Sequence, residues 1–135
     1  MHDGQKVLLV DDEADVLLTM RMLLQGEGHD VAVASDGGEA IDLIERWAPA
    51  VVVLDIRMPV LDGWYVLAEL GNRRNPPRVI VCTANADVRD HTRARSLGAE
   101  TVLVKPYDPE ELIRLVAATG AAVAGRSAGS SSLSS

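Results

Sequence analysis

The sequence predicts an α/β protein, a (βα)5 doubly wound parallel sheet in a three-layer sandwich. Three observations predict it. Five short valine-rich runs recur along the chain, at residues 7–10, 31–34, 50–54, 79–82 and 102–104, and such runs favour strands. A helical pattern follows each run, so no two strands are successive, and parallel strands need crossovers of that kind. Four of the runs are nearly unbroken, which is the pattern of strands covered on both faces.

Each element follows in order. After the first run, Val16, Met20, Leu23 and Leu24 fall on one helical face, and Gly26 and Gly28 stop the helix. The second run alternates Val31, Ala32, Val33 and Ala34, a lighter strand suited to a sheet edge. Asp36 reads as a helix N-cap with Glu39 as its return partner, and Ala40, Leu43, Ile44 and Trp47 make an i, i+3, i+4, i+7 stripe. After the third run, Asp62 caps a helix carrying Val66, Leu67 and Leu70. After the fourth, Asp87 caps a helix over residues 88–97 whose apolar residues are only Val88, Ala94 and Leu97, among Arg89, His91, Arg93 and Arg95. Such a helix is either simply solvated or held loosely enough to shift or meet a partner. The run Asp108, Pro109, Glu110, Glu111 is a strong helix start, followed by Leu112, Leu115 and Val116.

The chain has 135 residues, the size of one domain. The ordered domain is expected over residues 1–119. From Gly120 the composition turns to Ala, Gly and Ser, which cannot bury a core and reads as a disordered tail or linker over 120–135. There is no internal repeat. Hydrophobic residues make up 47% and charged residues 24%, so a packed core is expected, and with two Trp, two Tyr and no Phe it must be aliphatic.

The net charge of −7 argues against a nucleic-acid or anionic-membrane surface, since both need a basic footprint. Cys82 is the only cysteine, so no intrachain disulfide forms, which suits a reducing compartment. The N-terminus has no signal-peptide pattern and no apolar run approaches the ~20 residues that span a bilayer. A cytoplasmic protein is expected.

In an open parallel sheet, ligands bind outside the carboxyl ends of the strands. There the sequence places Asp11, Asp12 and Glu13 after strand one, Asp55 after strand three, Thr83 after strand four, and Lys105 and Pro106 after strand five. Carboxylates side by side repel, and a hard divalent cation with oxygen ligands relieves that. Magnesium suits one or two carboxylates plus water and phosphate. Aspartate is a covalent phosphoryl acceptor. The transferred group's oxygens need positive partners, which the cation, Lys105 and the Thr83 hydroxyl supply.

Each residue taken singly has a plainer role. The acids suit a helix N-terminus, Asp55 and Lys105 suit turns, Thr83 is an ordinary strand residue, and Cys82 suits core packing. His2, His29 and His91 lack metal-ligand spacing and read as surface residues. The signal lies in the joint pattern.

Five segments, Val10-Asp11-Asp12-Glu13, Val53 to Pro59, Leu61-Asp62-Gly63, Val81-Cys82-Thr83-Ala84 and Val104-Lys105-Pro106, together resemble the response regulator receiver family of two-component signal transduction. The resemblance spans roughly residues 5–119, with all five segments in order. It implies a flavodoxin-like fold with strand order 2-1-3-4-5. It implies Asp55 as phosphoacceptor, Asp12 as direct magnesium ligand, Asp11 acting largely through water, and the Arg57 carbonyl as a further ligand. Thr83 and Lys105 would bind phosphoryl oxygens, and a cis Lys105–Pro106 bond would hold Lys105 over the site. Arg57 and Asn85 occupy the positions that tune phosphate lifetime in the family. The donor would be a phosphohistidine on a sensor kinase or phosphotransfer protein, or a small acyl phosphate. The readout face would be helix four, strand five and helix five.

One position departs from the family pattern. An aromatic residue is common three before the lysine, and here it is Val102, which puts the usual threonine–aromatic coupling in question. Two alternatives stand beside a phosphorylated switch. One is a receiver-like interaction module that is never phosphorylated. The other is an aspartyl-phosphate phosphatase of the haloacid dehalogenase type, disfavoured because strand one ends Asp11-Asp12-Glu13 rather than Asp-x-Asp and no cap domain is present. The expected protein is not an enzyme, beyond catalysing its own phosphorylation and dephosphorylation.

Overall fold

The structure, a computed structural model, describes residues 4–58, 61–85 and 87–118. The tail expected over 120–135 lies outside these residues. Five strands are present: β1 (Lys6–Val10), β2 (Asp30–Ala34), β3 (Val51–Asp55), β4 (Arg78–Thr83) and β5 (Thr101–Val104). Helices α1 (Ala14–Gly26), α2 (Gly37–Trp47), α3 (Gly63–Leu70) and α4 (Val88–Ser96) separate them. A fifth, α5, occupies residues 109–118. The strands make one parallel sheet in the order β2-β1-β3-β4-β5. The light second strand is an edge strand as its composition predicts.

Alternation along the strands feeds two cores. Leu8, Val10, Val52, Leu54, Val79 and Val81 face one side with Ala40, Ile44, Val66, Leu67, Leu70 and Ala94 of α2, α3 and α4. Val7, Leu9, Val51, Val53, Ile80 and Cys82 face the other with Leu17, Met20 and Leu24 of α1 and Leu112 and Val116 of α5. Strands covered on both faces explain the unbroken apolar runs.

The helix boundaries have local causes. Asp36 Oδ1 accepts from Glu39 N at 2.8 Å while Glu39 Oε1 accepts from Ser35 N at 2.8 Å, so the return partner serves the residue before the cap. Asp62 and Asp87 cap α3 and α4 through Tyr65 N and Arg89 N, and Asp108 Oδ1 accepts from Glu110 N at 3.0 Å. Gly28 follows α1 with φ +94°, a conformation glycine reaches freely.

Two sequence expectations are corrected. On α1 the buried face is Leu17, Met20 and Leu24, with Val16 partly buried; Leu23 is exposed. Eight of the thirteen positions of this helix are apolar, so two overlapping stripes fit it, and the sheet takes the one through Leu17. His29 is not a surface residue. It is buried where α1 returns to β2, and its ring Nδ1 accepts from Gln5 N at 3.2 Å.

Candidate functional site

Strand register brings the chemistry to one rim. Asp55 lies opposite Cys82 and Thr83 opposite Val104. The rim is stitched beyond the ladder by Ile56 N to Cys82 O at 3.1 Å and Lys105 N to Thr83 O at 2.7 Å. The Lys105–Pro106 peptide is cis, as the resemblance implies.

Asp11, Asp12 and Asp55 converge, with one carboxylate oxygen from each within 4.8 Å of the others. Asp11 and Asp55 are buried and Asp12 is exposed. Lys105 Nζ bridges the buried pair, 3.0 Å from Asp11 Oδ2 and 3.2 Å from Asp55 Oδ2. Backbone donors hold the other oxygens: Glu13 N on Asp11 Oδ1 at 2.9 Å and Arg57 N on Asp55 Oδ1 at 3.1 Å. Thr83 is buried, and its Oγ1 accepts from Asn85 N at 3.0 Å, a bond that does not use the hydroxyl hydrogen.

Burial raises the pKa of Asp55, against the opposing pull of the Lys105 charge and the Arg57 N–H. For Lys105, burial works against the charge, but the hydrogen bond to Asp11 and the charges of Asp55 and Asp11 outweigh it and the pKa is raised. One ammonium thus answers two of the three clustered carboxylates. The excess negative charge and all-oxygen donor set fit a small hard cation such as magnesium.

Beside the acids opens a cleft of about 530 Å³, lined among others by Asp12, Arg57, Thr83, Trp64, Asn85 and Asp90. The space suffices for a phosphoryl group and water. All the site residues expected at the strand ends thus meet at this rim: Asp11, Asp12, Asp55 and Lys105 in direct or near contact, and Arg57, Thr83 and Asn85 along the cleft. Val102 lies apart, partly buried against the α2–α4 core.

Sequence reasoning left three features unassigned. Trp64 stacks under the Arg93 guanidinium, 4.0 Å from the ring centroid, tying α3 to α4. Asp90 accepts from the Asn85 side chain at 2.6 Å. Tyr107 and the buried Cys82 line one small cavity against α1. Trp64 and Tyr107 carried a signal as two of the four aromatics, one beside the Asp62-Gly63 turn and one directly after Lys105-Pro106.

A doubly wound sheet with an acid cluster, a lysine and a threonine on the rim of its carboxyl end defines the receiver class. The model for the response regulator receiver domain matches residues 7–117, and the chain belongs to that family. It is similar to the probable transcriptional regulator ycf27 of Guillardia theta, 44% identical over 112 residues, covering 83% of this chain and 44% of that one. It is similar to the transcriptional regulatory protein PrrA of Mycobacterium tuberculosis, 41% identical over 113 residues, covering 84% and 48%. This chain therefore spans less than half the length of these curated relatives. Among solved structures, the receiver domain of the Francisella response regulator 1452 superposes with a TM-score of 0.85 at 30% identity, covering 89% of this chain and 99% of that one. Among the described residues no helix is long and apolar enough to cross a membrane.

Proposed function

We propose that this receiver domain is a phosphoryl-accepting switch in which Asp55 is the acceptor. The observation that carries the reading is the convergence of Asp11, Asp12 and Asp55 with Lys105 Nζ at 3.0 and 3.2 Å from two of them. An Asp55 oxygen forms a bond to phosphorus as the phosphorus–nitrogen bond of a donor phosphohistidine breaks, and the freed ring nitrogen takes a proton from solvent. Lys105 moves from neutralising Asp55 to neutralising the phosphoryl oxygens, and the Thr83 hydroxyl donates to one of them. Asp11, Asp12, Asp55 and the Arg57 carbonyl would hold magnesium, which supplies positive charge against the incoming phosphoryl oxygens.

The donor in this reading is a sensor histidine kinase or a phosphotransfer protein, and the setting is cytoplasmic. The chain's role is signalling; its only catalysis is of its own phosphorylation and dephosphorylation. The arrangement of the loop after Thr83 and of α4 shifts with phosphorylation, and the α4–β5–α5 face carries the change to a protein partner. Moving such an equilibrium from 1:99 to 99:1 takes about 5.5 kcal/mol of preference, the scale of a few charge-assisted hydrogen bonds. The relatives named as transcriptional regulators are about twice as long. A net charge of −7 disfavours direct nucleic-acid contact by this chain.

Incubation with acetyl phosphate and magnesium tests the reading. Intact mass should rise by one phosphoryl group, and Asp55→Asn should show no gain. Beryllofluoride with magnesium should shift amide resonances around Thr83 and α4 in the native protein only. A native chain that gains no phosphoryl group is the unphosphorylated interaction module instead, and an equal gain in Asp55→Asn removes Asp55 as the acceptor.

A further inference from the structure

Asn85 stands at the mouth of the cleft with both ends of its side-chain amide engaged by the start of α4. The amide nitrogen donates to Asp90 Oδ2 at 2.6 Å, and the amide oxygen accepts from Asp87 N at 2.9 Å. Its backbone N–H donates to Thr83 Oγ1 at 3.0 Å, and its carbonyl lies 3.3 Å from the His91 ring. Asn85 is therefore fastened to the site on one side and to α4 on the other.

Helix α4 has little else to fix it. Ala94 is its one buried residue, and Val88 is 73% exposed. The other tie is polar as well, the Arg93 guanidinium over the Trp64 ring. Asp90 and Trp64 both line the cleft beside Asp55. The seating of α4 and the orientation of the Asn85 amide are thus one structural variable.

We propose that Asp90 is a positioning residue that holds the Asn85 amide across the cleft mouth, so that the seating of α4 sets how long a phosphoryl group survives on Asp55. This rests on the reading of Asp55 as acceptor. In the hydrolysis step a water oxygen bonds to phosphorus and the bond from phosphorus to the Asp55 oxygen breaks. The carboxylate is regenerated, inorganic phosphate leaves, and the water's proton passes to phosphate and solvent. Water approaches on the side away from Asp55, through the cleft that Asn85 lines. While Asp90 holds the amide, its plane is fixed and its strongest donor direction is spent on a carboxylate. Once released, the amide can turn and orient the attacking water. A partner that lifts α4 away from the cleft would shorten the signal, and one that seats it would prolong it.

The test is decay of the phosphorylated full chain after acetyl phosphate is removed, in magnesium. Asp90→Ala should decay about fivefold faster, the factor that one ordinary hydrogen bond is worth. Asp90→Asn keeps an acceptor and should stay within about twofold of the native rate. The double variant Asp90→Ala with Asn85→Ala should decay at the rate of Asn85→Ala alone, because without the amide its release changes nothing. An unchanged rate in Asp90→Ala overturns the proposal. So does an equal acceleration in the Asn85→Ala background, which would mean general loosening of α4. If the native chain takes up no phosphoryl group at all, the acceptor reading falls and this one with it; uptake with normal decay in Asp90→Ala removes this one alone.

Discussion

Cys82 shows what one atom's surroundings do at the residue scale. Its side chain lies against the α1–α5 core, 2% exposed, and burial pushes its thiol from 9.0 up to about 12. The folded protein therefore keeps a proton that the unfolded chain releases between pH about 9 and about 12. The unfolded state binds fewer protons in that window, so stability is full below it and falls as pH rises through it. Tyr107, whose pKa burial also raises, adds in the same direction. Urea midpoints should drop between neutral pH and about pH 10, and Cys82→Ala should flatten the drop. A thiol reagent should leave the native chain unmodified and label it once urea unfolds it. At this scale the sequence was partly legible. Core packing for Cys82 follows from its place in a valine run. The tight Asn85–Asp90 pair does not, because short polar residues near a helix start read as caps, and spacing alone does not say which of them reach across the rim.

At the scale of elements, the junction of β3 and α3 is a tight seam at the site. Gly63 opens α3 directly beneath the end of β3. A Cβ there would sit 2.6 Å from the Asp55 carbonyl oxygen and from Ile56 Cα, both backbone atoms that cannot swing away. Its N–H also donates to Ile56 O at 2.9 Å. Gly63→Ala must therefore displace either the helix or the strand end that bears Asp55, and should cost about 1–3 kcal/mol, the range of overpacked sites. Urea unfolding at an unchanged m-value measures it, and phosphoryl uptake from acetyl phosphate should fall with it. Elements with one strong stripe, such as α2 with Ala40 and Ile44, were legible because a single face satisfied the pattern. Helix α1 was misassigned at Leu17 and Leu23 because apolar residues surround it, so the choice of face belongs to the sheet. Helix α4 left two readings open because its position rests on Arg93 with Trp64, a pair between distant segments, and on Asp90 with Asn85, a local polar pair, and neither shows in apolar periodicity.

The whole molecule gathers negative charge at one end of the sheet. Strand order 2-1-3-4-5 sets the ends of β1 and β3 side by side at the centre, so Asp11, Asp12 and Asp55 are neighbours although distant in sequence. That arrangement was readable from the strand-end residues once the parallel alternation was recognised, since the topology leaves them no other rim. Lys105 answers Asp11 and Asp55, and Asp12 stays outside its reach among the described contacts. Folding against this repulsion weakens the apo protein, and a bound cation stabilises it by RT ln(1 + [L]/Kd), about 2.7 kcal/mol at a hundredfold excess over Kd. The two effects make opposite demands on Asp12. Asp12→Asn removes one of the crowded charges, so without divalent cation the variant should melt at or slightly above the native temperature. With saturating magnesium the native chain should gain stability on that scale, and the variant should lose most of the gain. Thermal melts of both chains, with chelator and with magnesium, make the comparison. Equal magnesium gains in both would show that Asp12 holds no cation, and a lower apo melting temperature in the variant would show that the carboxylate supports the fold rather than straining it.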